Sequence, residues 1–257
     1  MEAWKVHKFG GSSVADAACM LRVADIIESD PALRKAVVLS ACRGVTDALL
    51  TLVALAERQD RALEDRIQEL RERHVTLARE LLSGELYDDF VVGLDQDCRD
   101  IAGILQTVRL VRSASTTLRD LIAGYGELWS TRLFERLLSR RGLVSGQVQW
   151  MDARRVLLVE WGPLGPAIRW EQSRTNLHAE VAPDFIGTLV VTGFIATDTQ
   201  GLQTTLGRNG SDFSASIFGS LLDAGEIVIW TDVDGVLSAD PRLVPEAQVI
   251  EALSYNE

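Results

Sequence analysis

The chain has only three cysteines, and Cys19, Cys42 and Cys98 show no metal-ligand spacing. So small and odd a set argues against a disulfide-stapled secreted scaffold and points to a reducing, cytoplasmic setting. The three histidines, His7, His74 and His178, are scattered, so no metal site is expected from them. Positive charge is also short: 26 Lys and Arg against 37 Asp and Glu leave a formal charge of −11. A general nucleic-acid binder needs a basic surface, so that class is disfavoured. No apolar run reaches the roughly 18 residues that span a bilayer, so no membrane partner is expected. The opening residues, Met-Glu-Ala-Trp-Lys-Val-His-Lys, lack the basic and apolar regions of a secretory leader. The pattern G-x-x-x-x-G-K-[ST] is missing too, so any phosphate grip has to be built without a P-loop.

What is present suits a globular α/β chain. The 257 residues are 47% hydrophobic and 25% charged, a balance that fits one large domain. A short strand at Trp4–Lys8 stops at Gly10-Gly11, where Ser12 or Ser13 can cap a helix running to about Ser29. Val37-Val38-Leu39 has the compact apolar form of a buried parallel strand. A helix is expected from about Val45 to Arg58. Residues 60–141 hold no proline and carry Leu, Arg and Glu at helical spacing, so they read as helical almost throughout. Strand patterns return at 147–150, 157–160 and 187–191. Asp198-Thr-Gln-Gly201 marks a hairpin joining Val190–Ala196 to Leu202–Thr205. A helix over Ser211–Ala224, a strand over Ile227–Thr231 and a turn at Asp234-Gly235 follow. The expected fold is one α/β domain, a mainly parallel sheet with helices on both faces.

Polar, glycine-containing loops follow several strands, where ligands bind in open parallel sheets. In Lys8-Phe9-Gly10-Gly11-Ser12-Ser13, paired glycines let backbone N–H groups approach an anion, and Lys8 adds a point charge. The same residues could be only a tight turn beside an exposed lysine. Ser40–Asp47 offers hydroxyls at Ser40 and Thr46 around a turn at Gly44. Glu127, in Gly126-Glu-Leu-Trp-Ser130, could hold an amine or be a solvated helix charge. The densest cluster is Thr204-Thr-Leu-Gly-Arg-Asn-Gly-Ser-Asp212. There Arg208 can grip a carboxylate or phosphate with its planar fork, and Asp212 could simply favour a helix N-terminus. Last comes Trp230-Thr-Asp-Val-Asp-Gly-Val236, with Ser238 and Asp240-Pro-Arg242 after it.

KFGGSSV at Lys8–Val14, TTLGRNGSD at Thr204–Asp212 and WTDVDGV at Trp230–Val236, in this order, resemble the aspartokinases of the amino acid kinase superfamily. The resemblance covers nearly all of residues 1–257. GRNGSD with WTDVDGV is most similar to kinase domains fused to homoserine dehydrogenase or diaminopimelate decarboxylase. It implies an αβα sandwich around a largely parallel sheet. It also implies transfer of the γ-phosphoryl group of ATP to the side-chain carboxylate of L-aspartate, opening the route to lysine, threonine, methionine and isoleucine. Carried over by motif, Lys8 and Asp212 are catalytic, Asp212 orienting Lys8, and Gly10, Gly11 and Ser12 hold phosphate. Ser40, Thr46, Glu127, Arg208 and Ser211 bind aspartate, Arg208 at a carboxylate and Glu127 at the ammonium. Thr231, Asp232, Ser238 and Arg242 lie along ATP, whose phosphates Mg²⁺ bridges, and the full-length protein is expected to be a homo-oligomer.

The chain departs from the family pattern in three places. Asn209 replaces a glycine, Leu237 sits where many relatives have tyrosine, and Glu257 precedes the expected Gly-Ala-Lys segment. The expectation is therefore a domain truncated at its C-terminus. Two other readings stand beside this one: a different amino acid kinase, or a non-catalytic binding or regulatory module with the same fold.

Overall fold

The computed structural model describes residues 2–142, 146–163, 165–207, 210–231, 235–240 and 242–254. Strand β1 (Lys5–Phe9) leads through the Gly10-Gly11 loop to helix α1 (Ala17–Ser29), and β2 (Arg34–Leu39) leads to α2 (Val45–Glu57). The leucine- and arginine-rich stretch then forms α3 (Leu63–Leu81), α4 (Glu85–Val111), α5 (Thr116–Ala123) and α6 (Tyr125–Arg141). Next come β3 (Gln147–Met151), a 3-10 turn at Ala153–Arg155, β4 (Leu158–Gly162), β5 (Gly165–Ile168) and α7 (Trp170–Glu180). The chain continues through β6 (Gly187–Thr192), β7 (Ile195–Asp198), β8 (Gln203–Thr205), α8 (Gly210–Leu221) and β9 (Glu226–Trp230).

Five strands form a wholly parallel sheet in the order β3-β6-β2-β1-β9. Its central strands are apolar on both faces, as a doubly covered parallel sheet requires. Alternation divides them: Phe9, Val37, Leu39 and Val190 pack with residues of α1 to α4 and α6. Val6, Ala36, Val38, Leu189 and Val191 pack with α7 and α8 on the opposite face. The same period of two aims Lys8, next to Phe9, at α8. The result is the expected αβα sandwich. A smaller mixed sheet, β5-β4-β7-β8, stands beside it. Among the described residues no helix is long and apolar enough to cross a membrane.

Two local expectations are corrected. Ser12 and Ser13 do not cap α1. The Ser13 N–H closes a turn on the Gly10 carbonyl at 3.0 Å, and Asp16 caps the helix by accepting from the Cys19 N–H at 2.8 Å. A carboxylate at the N-terminus also suits the helix dipole better than a hydroxyl does. The run Val190–Ala196 is not one strand. β6 ends at Thr192 in the parallel sheet, and Gly193 and Phe194, the latter at φ 67°, turn the chain into β7 of the other sheet. A Cβ at Gly193 would lie 2.9 Å from the Leu39 carbonyl oxygen, so the crossing is tied to glycine. Elements β5 and α7 carry weak sequence signals; α7 buries only Ser173 and Leu177. The expected turn at Asp234-Gly235 falls partly outside the described residues.

Gly126 lets α6 lie against the loop after β2, because a Cβ there would be 2.7 Å from Ala41 Cβ and 3.2 Å from Val45 Cγ1. Gly103, inside α4, has open space around the same position. Gly126→Ala should therefore destabilise the fold by about 1–3 kcal/mol through overpacking. Gly103→Ala should stabilise it by about 0.5–1 kcal/mol through helix propensity. Urea unfolding of both variants checks the contrast in sign.

Candidate active site

The site lies at the carboxyl ends of β1, β2 and β6, where their loops are tied together. Ser40 N–H donates to Phe9 O at 3.2 Å, Gly193 N–H to Leu39 O at 2.9 Å, and Arg43 N–H to Gly11 O at 3.0 Å. Chain order reverses at β1, which has β2 on one side and the much later β9 on the other. Such a reversal opens a crevice at the carboxyl edge of a parallel sheet. Gly11 closes tightly on the neighbouring loop; a Cβ there would lie 2.8 Å from Ala41 O.

Lys8 is only 8% exposed, yet its ammonium reaches this edge. Its Nζ lies 2.7 Å from Asp212 Oδ1 in the first turn of α8, an ion-pair approach without hydrogen-bond alignment. The same Nζ would be 3.4 Å from a Cβ at Gly10, so the ammonium sits beside the first of the paired glycines. Ser211 joins the first turn of α8 to the loop after β2 by accepting from Ser40 Oγ at 2.9 Å.

Glu127 enters from α6 and is 3% exposed. Its Oε1 accepts the Ala41 N–H at 3.1 Å, while Oε2 is buried without a hydrogen-bond partner. Burial pushes its carboxyl up to about 8, with the Ala41 N–H pulling the other way. A buried carboxyl with one open oxygen is suited to a cation supplied from outside. Ser130, one turn further on, donates to Ser40 O at 2.8 Å and fixes the same loop. Thr46 is half-buried in the first turn of α2, just after that loop.

The structure thus brings Lys8, Gly10, Gly11, Ser40, Glu127, Ser211 and Asp212 to one edge. Ser12 and Thr231 line a neighbouring cleft of about 340 Å³ between α1 and the end of β9, with Phe9, Arg22 and Trp230. Trp230 stacks on Phe9 at a ring distance of 5.6 Å and donates its indole N–H to His7 Nδ1 at 3.2 Å. Burial holds His7 neutral, lowering it to about 4. Ser238 and Arg242 make local bonds instead. The Ser238 hydroxyl accepts from Gln248 N–H at 3.1 Å, and Arg242, 88% exposed, pairs with Asp240 at 2.8 Å. Arg208 and Asp232 lie outside the described residues. Sequence reasoning missed the roles of Gly193 and Ser130. A lone glycine inside an apolar run was the available signal for the first.

A sequence model described as the Amino acid kinase family matches residues 3–257. The bifunctional aspartokinase/homoserine dehydrogenase 2, chloroplastic, of Arabidopsis thaliana is 39% identical over 259 residues, covering 100% of this chain and 28% of that protein. The lysine-sensitive aspartokinase 3 of Escherichia coli (strain K12) is 34% identical over 255 residues, covering 98% of this chain and 54% of that one. The crystal structure of E. coli aspartokinase III in complex with aspartate and ADP superposes with a TM-score of 0.82 at 31% identity, over 96% of this chain and 53% of that chain. The chain therefore spans well under two thirds of the length of these relatives.

The raised Glu127 carboxyl has a consequence for stability. Between the ordinary carboxyl value of 4.5 and about 8 the folded state keeps a proton that the unfolded state has lost. Stability from this group is therefore full at low pH and falls as pH rises through that window. Glu127→Gln removes the titration while keeping an acceptor for Ala41. The melting temperature of the parent relative to Glu127→Gln should fall steadily from pH 5 to pH 8. Parallel profiles would show that this carboxyl does not titrate there.

Proposed function

The chain belongs to the amino acid kinase family, and we propose that it phosphorylates L-aspartate on its side-chain carboxylate with ATP, giving 4-phospho-L-aspartate. The observation that carries the reading is the Lys8–Asp212 contact at the first of the paired glycines, beside a buried carboxyl with an open oxygen. It is supported by the relatives named as aspartokinases and by the aspartate and ADP bound in the E. coli structure. The product would feed lysine, threonine, methionine and isoleucine synthesis.

The chemistry asks for little proton transfer. The attacking carboxylate is already ionised at neutral pH. What the reaction needs is alignment of two anions and cancellation of their charge. Lys8, held by Asp212, would meet the charge that builds on the transferring phosphoryl group. The N–H groups of Gly10 and Gly11, with Ser12, would hold the phosphates. Ser40, Thr46 and Ser211 would line the aspartate site, with Arg208 gripping a carboxylate and Glu127 the ammonium. The ammonium would complete the open oxygen of Glu127 and displace its proton. Thr231, Asp232, Ser238 and Arg242 would follow ATP, Ser238 and Arg242 exchanging their partners Gln248 and Asp240 for the nucleotide. An ammonium and glycine N–H groups suit phosphate oxygens, which fits a metal that arrives on the nucleotide. Mg²⁺ arriving with ATP would supply further charge neutralisation beside Lys8 and the glycine N–H groups.

Residues 1–257 are read as one kinase domain acting within a homo-oligomer, without nucleic acid or membrane partners. The free thiols Cys19, Cys42 and Cys98 support a reducing cytoplasmic setting.

The test is an acceptor screen with Mg-ATP, and aspartate should be the preferred acceptor. Turnover with another amino acid or a phosphate acceptor, but not aspartate, would reassign the chain within its family. No turnover with any acceptor would favour a binding module. Arg208→Ala should weaken aspartate binding by about 2–5 kcal/mol. Arg208→Lys should recover little of that loss, because a point charge cannot reproduce the fork. An Arg208→Ala protein with the parental aspartate KM would remove Arg208 from the site.

A further inference from the structure

We propose that Gln203 is a positioning residue whose side-chain amide holds the junction of α5 and α6, just ahead of Glu127, in register with β8, which leads towards α8. The inference rests on the aspartate site proposed above and adds a residue that touches neither substrate.

Gln203 is half-buried at the start of β8. Its Nε2 donates to two carbonyls in the last turn of α5, Asp120 O at 2.9 Å and Leu121 O at 3.3 Å. Its Oε1 accepts from Arg154 Nη1 at 2.5 Å. Arg154 is itself clamped on both carboxylate oxygens of Asp152, which is 7% exposed. The amide is thus held at both ends, and an amide suits the position because it donates through Nε2 and accepts through Oε1 on opposite sides of one planar group.

The backbone makes room for this contact. Helices α5 and α6 abut at Gly124, where a Cβ would lie 2.3 Å from Gln203 Nε2 and 2.9 Å from Ile195 Cγ2. Glu127 follows within the first turn of α6. On the other side, β8 continues to Leu206, whose N–H donates to Phe194 O at 2.7 Å, and then to α8 with Ser211 and Asp212. One side chain therefore ties β8, which leads towards Ser211 and Asp212, to the end of α5, which leads into Glu127. Gly10 and Gly11 reach the site from β1, by a route that does not include Gln203.

Gln203→Glu keeps size and the Arg154 contact but cannot donate to the α5 carbonyls. In the full chain, the aspartate KM should rise at least tenfold, with the Mg-ATP KM within twofold of the parent. A merely structural lesion would lower the active fraction and leave both KM values alone. Amide hydrogen exchange should quicken in residues 124–128 and in residues 206–212 together. Gln203→Met, which removes all three hydrogen bonds at similar size, gives the same readouts if the Glu variant folds poorly. Exchange altered in only one segment, or in neither, overturns the proposal, as does an equal rise in both KM values. If the parent shows no aspartate-dependent turnover, the aspartate reading fails, and the exchange data still decide whether Gln203 couples the segments.

Discussion

The contact between Lys8 and Asp212 is the constraint around which the carboxyl edge is built. Lys8 ends a buried strand and Asp212 opens a helix far along the chain, so only the crossover topology can join them. A lysine this buried is costly to leave without an opposite charge. Asp212 is 42% exposed on its side chain, so solvent screens the pair and its net stabilisation is small. Its main consequence is therefore positional: it holds an ammonium beside Gly10 at the carboxyl end of β1. The glycines at 11, 126 and 193 serve the same end, each admitting a backbone or side-chain approach that a Cβ would block.

Charge is handled locally, against the balance of the whole chain. The formal charge of −11 would repel ATP and aspartate alike. The edge sets Lys8 and backbone N–H groups against this, and burial raises the Glu127 carboxyl to about 8. A buried carboxyl that waits for an ammonium discriminates well, because a ligand without that group leaves Oε2 unpaired. On the proposed reading, part of the selectivity would rest on this unsatisfied oxygen on α6.

Much of the architecture was legible in local patterns. Apolar runs at 37–39 and 187–191 announced buried parallel strands, and the long helical period over 60–141 was realised as four helices. The structure departs from these patterns where a competing local cap or a tertiary contact overrides the signal. Asp16 outcompeted Ser12 and Ser13 as the cap of α1, and the packing of Gly193 on Leu39 broke an apparently continuous strand. The site was legible as glycine-flanked polar loops after strands, but no spacing rule joins Lys8 to Asp212, and their pairing was expected only through the family resemblance. Nor could the pattern say that Glu127 is buried rather than solvated. That depends on Gly126 letting α6 settle onto Ala41.

The central claim is that Lys8 acts on the transferring phosphoryl group and that Asp212 acts through Lys8. A double-mutant cycle of Lys8→Ala and Asp212→Ala, with kcat for aspartate-dependent turnover measured and folding checked by thermal melting, tests it most directly. Loss of a preorganised electrostatic group should lower kcat by roughly 10²–10³ with little change in KM. The double variant should be hardly worse than Lys8→Ala alone, since the two residues work as a unit. Additive losses, or a Lys8→Ala protein with near-parental kcat, would contradict the account.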